Sequence, residues 1–173
     1  MFLGKDIMGN PVITVSDGRS IGKVNDIYLT TNLQSVAGIY LGSKGGLFSS
    51  RSSFLVKSED VVTMGEDAVL VKHDEVIQEE KDIPDLEETW LRRDELQGRT
   101  VDSPGGTKVG KVGDVIINEE GTVLGFTLSQ VYISGPIADN QAVAIHTVQD
   151  VGHGDGVMTI DLEQAEQQEL SVA

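Results

Sequence analysis

Apolar residues in this chain recur mainly at every second position. Ala37, Ile39 and Leu41 alternate with Gly38, Tyr40 and Gly42, the period-two pattern of a half-buried strand. Just upstream, Ile21, Val24, Ile27 and Leu29 carry the apolar signal, with Asn25, Asp26 and Tyr28 interleaved. Further on, Val61–Met64 and Ala68–Val71 flank Gly65-Glu66-Asp67, which reads as a hairpin. Turn residues fall where such strands need them: Asp17-Gly18, Pro104-Gly105-Gly106 and Asn118-Glu119-Glu120-Gly121.

The pattern is written twice. Gly22-Lys23-Val24-Asn25-Asp26-Ile27 returns as Gly110-Lys111-Val112-Gly113-Asp114-Val115, and Gly38-Ile39 as Gly125-Phe126. Upstream, Met8-Gly9-x-x-Val12 matches Gln97-Gly98-x-x-Val101; downstream, Leu55–Val71 aligns without a gap on Ala144–Ile160. Four blocks recur in one order at a spacing of about 88 residues, too long for a solenoid unit and right for a duplicated small domain. Each copy offers five or six short strands, and closing them into a small barrel removes exposed edges. The expected fold is all-β: two tandem small barrels at 1–75 and 90–162, an acidic connector at 76–89 and a polar tail at 163–173, with short helical turns in connector and tail. From Asp74 to Glu88 the connector region holds eight acids against Lys81, and Pro84 interrupts any helix there. Leu86, Trp90 and Leu91 are placed to pack one barrel on the other.

Composition narrows the function. The 173 residues include no cysteine, which excludes disulfides, thiolate metal sites and cysteine nucleophiles. Twenty glycines and 5% aromatics suit short strands and tight turns. A net charge of -15 repels phosphate backbones, so direct nucleic-acid binding is not expected. Neither a leader-like start nor an apolar run near the roughly 20 residues of a membrane helix is present, so no membrane insertion and a cytoplasmic location are expected.

The candidate chemical motifs do not assemble a catalyst. Gly105–Lys111 satisfies most of a phosphate loop, yet Val112 stands where the metal-binding hydroxyl belongs and a strand follows instead of a helix. His146 and His153, near Asp150 and Asp155, face Lys57 and Met64 in the first copy and lack ligand spacing; no metal and no cofactor are expected. No Gly-x-Ser-x-Gly elbow exists. Asp26 and Asp114, kept in both copies among apolar residues, are read as structural: each accepts backbone N–H bonds from a neighbouring loop or pairs with Lys23 or Lys111. Gly22 and Gly110 are the matching structural glycines.

At these residues the sequence resembles the PRC-barrel family, named for the cytoplasmic domain of the photosynthetic reaction centre H subunit. Gly9-x-x-Val12, Asp17-Gly18, Gly22-Lys23-Val24-x-Asp26-Ile27, Gly38-Ile39 and Ser58–Val71 carry the likeness in the first copy. Leu96-Gln97-Gly98-x-x-Val101, Gly110–Val115, Gly125-Phe126 and Val148–Ile160 carry it in the second. Lys57 and His146 stand where the family usually has a proline before the closing hairpin, which leaves that loop's geometry open. The resemblance implies six-stranded barrels without catalysis of their own that bind other proteins, in reaction centres, in a ribosome-maturation factor and in stand-alone microbial proteins. The expected function is a non-catalytic protein-interaction or assembly module with a protein partner, and a homodimer is plausible through barrel edges. The alternatives are a ribosome-maturation role through a ribosomal protein, or association with a photosynthetic complex. The copies differ most in loops 42–54 and 129–141, so Lys44, Phe48, Arg51 and Tyr132, with Trp90 beside the connector, are the candidate interaction residues.

Overall fold

The computed structural model describes residues 1–45, 51–152, 156–168 and 170. The alternating segments form strands. The first half carries β1 (Phe2–Leu3), β2 (Pro11–Thr14), β3 (Ser20–Lys23), β4 (Asp26–Thr30), β5 (Val36–Lys44), β6 (Ser52–Lys57), β7 (Val61–Met64), β8 (Val69–Val71) and β9 (Gln78–Glu79). A short helix α1 (Leu86–Thr89), strand β10 (Trp90–Arg92) and helix α2 (Arg93–Leu96) lead into the second half. There follow β11 (Thr100–Asp102), β12 (Lys108–Ile117), β13 (Val123–Val131), α3 (Pro136–Asn140), β14 (Ala142–Ala144), β15 (Val148–Asp150), β16 (Val157–Ile160) and α4 (Leu162–Gln167). The protein is mostly β, in curled sheets typical of small barrels.

The two halves repeat their pairings. β2 lies parallel to β8 with Val12 opposite Val69, and β11 lies parallel to β16 with Val101 opposite Met158. Ile27 faces Ile39 in one half as Val115 faces Phe126 in the other. The closing strands correct the ungapped alignment of the sequence. Gly38 pairs with Lys57 and Gly125 with Ala144, so Lys57 corresponds to Ala144 and not to His146. The register recovers only at β16, because the turn between β15 and β16 is two residues longer than the turn between β7 and β8.

One seam differs. In the second half β12 runs unbroken and stays paired with β13 out to Gly110 opposite Val131. In the first half the same stretch divides into β3 and β4, and β3 is an edge of a separate four-stranded sheet. One position differs at the point where the halves diverge. A Cβ on Gly113 would come within 2.7 Å of the Thr127 hydroxyl and 3.1 Å of the Ser129 nitrogen, so only glycine lets β13 pass this close. The first copy has Asn25 there: its backbone N–H still donates to the Tyr40 carbonyl at 2.8 Å, its side-chain amide takes the Leu41 carbonyl at 2.7 Å, and the β4–β5 ladder ends at this residue.

The halves also exchange their leading strands. β1 pairs not with the first half but with β12, Phe2 opposite Ile117 and Leu3 opposite Ile116. β10 returns the exchange on β4, Leu91 opposite Leu29 and Arg92 opposite Tyr28. The β4–β5 and β12–β13 turns meet at a bridge between Ser35 and Thr122, flanked by Val36 N–H to Gly121 O at 2.7 Å and Val123 N–H to Gln34 O at 3.0 Å. One apolar core therefore crosses both halves, with Ile27, Leu29 and Ile39 sharing it with Val115, Ile117 and Phe126.

The acidic segment 76–89 does not run free. β9 pairs with β6, Leu55 opposite Gln78. Alternation puts Tyr28 on the face of β4 away from the main core, where Ile83, Leu86 and Trp90 cover it together with Ala37 and Leu55. Both faces of this sheet are thereby buried, which explains the unbroken burial of Asp26–Leu29. The tail is likewise ordered through α4: Asp161 caps Gln164 N–H at 3.0 Å and Ala165 is buried.

Candidate interaction site

Two constructions stand out on this frame: a buried charge cluster between the halves, and an open groove beside it. The cluster is built on the repeated aspartates. The Asp26 carboxylate accepts the Ile27 N–H at 2.9 Å and the Asp94 N–H at 3.3 Å. The Asp114 carboxylate accepts the Val115 N–H at 2.8 Å and the Lys5 N–H at 2.8 Å. Each aspartate thus ties down its own strand and the first turn of the opposite half. Neither Lys23 nor Lys111 pairs with them among the described residues. Arg93 does: its Nε donates to Asp114 Oδ1 at 2.6 Å and its Nη2 to Asp114 Oδ2 at 3.2 Å, while Nη1 lies 3.6 Å from Asp26 Oδ1. Burial works against the Arg93 charge, yet the bond to Asp114 and the two carboxylates outweigh it and hold its pKa above the ordinary value. Burial raises the Asp26 pKa, since its hydrogen bonds and the more distant Arg93 compensate incompletely.

Arg93 was not legible as a site residue in its own neighbourhood. The repeat contained the signal: carried upstream of Gly9 and Gly98, the alignment sets Arg93 against Gly4.

The groove has a volume of about 1280 Å³ and is lined by Tyr28, Ile83, Leu86 and Trp90 together with the cations Lys81, Arg92 and Arg99 and the acids Glu80, Asp85, Glu87, Glu88 and Glu95. Trp90 lies tilted on Tyr28 with ring centres 5.5 Å apart, and Tyr28 meets Tyr40 edge to face at 5.9 Å. The Arg92 guanidinium sits 4.0 Å above the Tyr40 ring, a cation–π contact. The Tyr28 hydroxyl donates to Glu80, and burial with that acceptor pushes its pKa far up. Arg92 also reaches Asp26 Oδ2 at 3.5 Å, joining groove and cluster. In the second half Ile116 and Thr127 occupy the places of Tyr28 and Tyr40, so this aromatic arrangement belongs to one half only.

Of the five candidate interaction residues, Trp90 is the one that lines the groove among the described residues, and Leu86 and Leu91, expected to pack between the barrels, line it too. Lys44 and Arg51 are exposed on the β5–β6 hairpin, and Phe48 between them lies outside the described residues. Tyr132 sits at the corresponding end of β13, 51% exposed, its hydroxyl donating to Gln130 Oε1 at 2.6 Å. Gly22 lies against the Leu41 side chain, and Gly110 lies against the Gln130 carbonyl. His146 is exposed and His153 falls outside the described residues. Among the described residues no three histidine, aspartate or glutamate side chains gather as a metal site, and no helix is long and apolar enough to cross a membrane.

Residues 1–78 match the PRC-barrel domain. A curated relative, described as a probable sporulation protein YlmC of Bacillus subtilis (strain 168), is 30% identical over 64 residues, covering 35% of this chain and 79% of the relative. The chain belongs to the PRC-barrel family.

Proposed function

We propose that this chain is a tandem PRC-barrel protein, with barrels at 1–75 and 90–162, that serves in the cytoplasm as a non-catalytic protein-interaction module. Its docking surface is the groove over Tyr28 and Trp90. The observation that carries the reading is the half-buried Trp90 resting on Tyr28, with Arg92 beside it stacked on Tyr40, built in one half and replaced by Ile116 and Thr127 at the Tyr28 and Tyr40 places in the other. What duplication preserved serves the fold; what diverged and still reaches the surface, as the half-buried Trp90 and Arg92 do, is free to serve recognition. Aromatic and arginine side chains are also the groups that most often anchor protein interfaces. The exposed Lys44, Arg51 and Tyr132 hairpin ends provide a second diverged surface.

The test is affinity capture with wild-type protein, Trp90→Ala and Arg92→Ala in parallel, followed by direct titration of each captured protein. A partner bound by the wild type and lost in the groove variants supports the reading. A partner bound equally by all three moves recognition elsewhere, and turnover of a metabolite by the pure protein would overturn the non-catalytic assignment.

A further inference from the structure

The contacts between the halves come in rotated pairs. β1 on β12 matches β10 on β4, Lys5 N–H on Asp114 matches Asp94 N–H on Asp26, and Val36 on Gly121 matches Val123 on Gln34. These pairs define a pseudo-twofold relation, the arrangement of a dimer whose subunits swap their leading strands and have been joined into one chain. At the junction between the two aspartates one pair of equivalent positions breaks the relation by sterics. Gly4 and Arg93 are equivalents, each opening the turn that follows its swapped strand. A Cβ on Gly4 would fall 2.7 Å from Arg93 Nε, 2.8 Å from its Cδ and 2.9 Å from Asp114 Oδ1. The junction therefore holds two carboxylates and has room for one arginine.

We propose that the Gly4–Arg93 pair determines which halves associate: this surface accepts only an unlike half, one partner with glycine and the other with arginine. Two first halves brought together across two chains would bury Asp26 twice with no arginine between. Two second halves would press two Arg93 side chains into a space that does not admit a Cβ beside one. Unlike pairing places one guanidinium against both aspartates, so the surface closes within the chain and is not available for association of like halves. A specificity element of this kind works by making the wrong pairing costly as much as by favouring the right one.

The relation supplies its own test, because the arginine should serve from either side. Four full-length proteins are compared by chemical unfolding and by light scattering: wild type, Arg93→Gly, Gly4→Arg, and Gly4→Arg with Arg93→Gly. The wild type is expected to be monomeric. Arg93→Gly, which leaves Asp114 without a cation and Asp26 with Arg92 alone at 3.5 Å, and Gly4→Arg, with two crowded arginines, are both expected to unfold at lower denaturant or to fail to fold. The double variant moves the arginine across the pseudo-axis and is expected to recover most of the lost midpoint and the monomeric mass. Additive or worse behaviour of the double variant, a double variant that does not fold, or single variants indistinguishable from wild type would each overturn the proposal.

Discussion

Arg93 grips Asp114 through two bonds, at 2.6 and 3.2 Å, and stands 3.6 Å from Asp26, so two aspartates in equivalent places are served unequally. Removing one partner of a buried, hydrogen-bonded pair leaves an uncompensated charge and costs about 3–5 kcal/mol. Asp114→Asn is therefore expected to destabilise the protein by an amount of that order. Asp26→Asn keeps an acceptor for the Ile27 N–H, leaves Arg93 bound to Asp114, and weakens only the longer 3.5 Å contact of the partly exposed Arg92 while removing a buried charge, so its expected effect lies within about 1 kcal/mol of zero. Urea unfolding of the two variants checks the contrast, and equal losses would refute it.

The raised pKa of Asp26 fixes a direction in pH. Above its folded value the carboxylate is ionised in both states, and the folded state bears the greater cost of burial. As pH falls through the folded value toward the unfolded reference of 3.8, the folded state takes up a proton first and this cost is relieved. Wild type should thus gain stability relative to Asp26→Asn as pH falls across that window and lose it as pH rises. The measurement is the difference between their unfolding free energies from pH 7 to 3.5. A difference that stays flat, or changes with the opposite sign, would contradict the assignment.

The seam between the sheets gives a local prediction. Any side chain at Gly113 must push aside Thr127 and the Ser129 backbone, so Gly113→Asn is expected to open the β12–β13 ladder at its outer end. Overpacking of this kind typically costs about 1–3 kcal/mol. Faster amide exchange confined to Val131 and Gln130, with Phe126 still protected, would show that the ladder opens as β3 and β5 do in the first half.

Much of this architecture was readable in the chain. Period-two alternation and the doubled Gly-Lys-Val-x-Asp block place β4, β5, β12 and β13 and imply barrels, because strand patterning is local. The strand exchange was not readable. β1 and β10 are two and three residues long, too short for periodicity to show, and which sheet they join depends on contacts far away in sequence. The segment around Ile83 reads as a linker because its charge hides Ile83; Leu86 and Trp90 are legible as packing residues, but they cover the outer face of the first half's sheet together with Ile83, spaced for a sheet and not for a helix face. Arg93 carries no such signal, because an arginine beside Asp94 and Glu95 reads as an exposed helix charge. Burial comes from the strand swap that precedes it.

That covering segment yields the last prediction. Trp90 is the sole tryptophan, and it rests on Tyr28 in a cluster closed by Ile83. Ile83→Ala removes buried aliphatic carbon from the lid while leaving both barrel interiors intact. Truncation of a buried isoleucine costs about 2–5 kcal/mol where the site cannot collapse, and this site, at the edge of the groove, should fall at the low end. The segment is expected to loosen before the barrels do. Trp90 emission should therefore shift to the red at denaturant concentrations where circular dichroism still reports intact sheet. Coincident transitions by the two probes would mean that residues 76–89 belong to the same cooperative unit as the core.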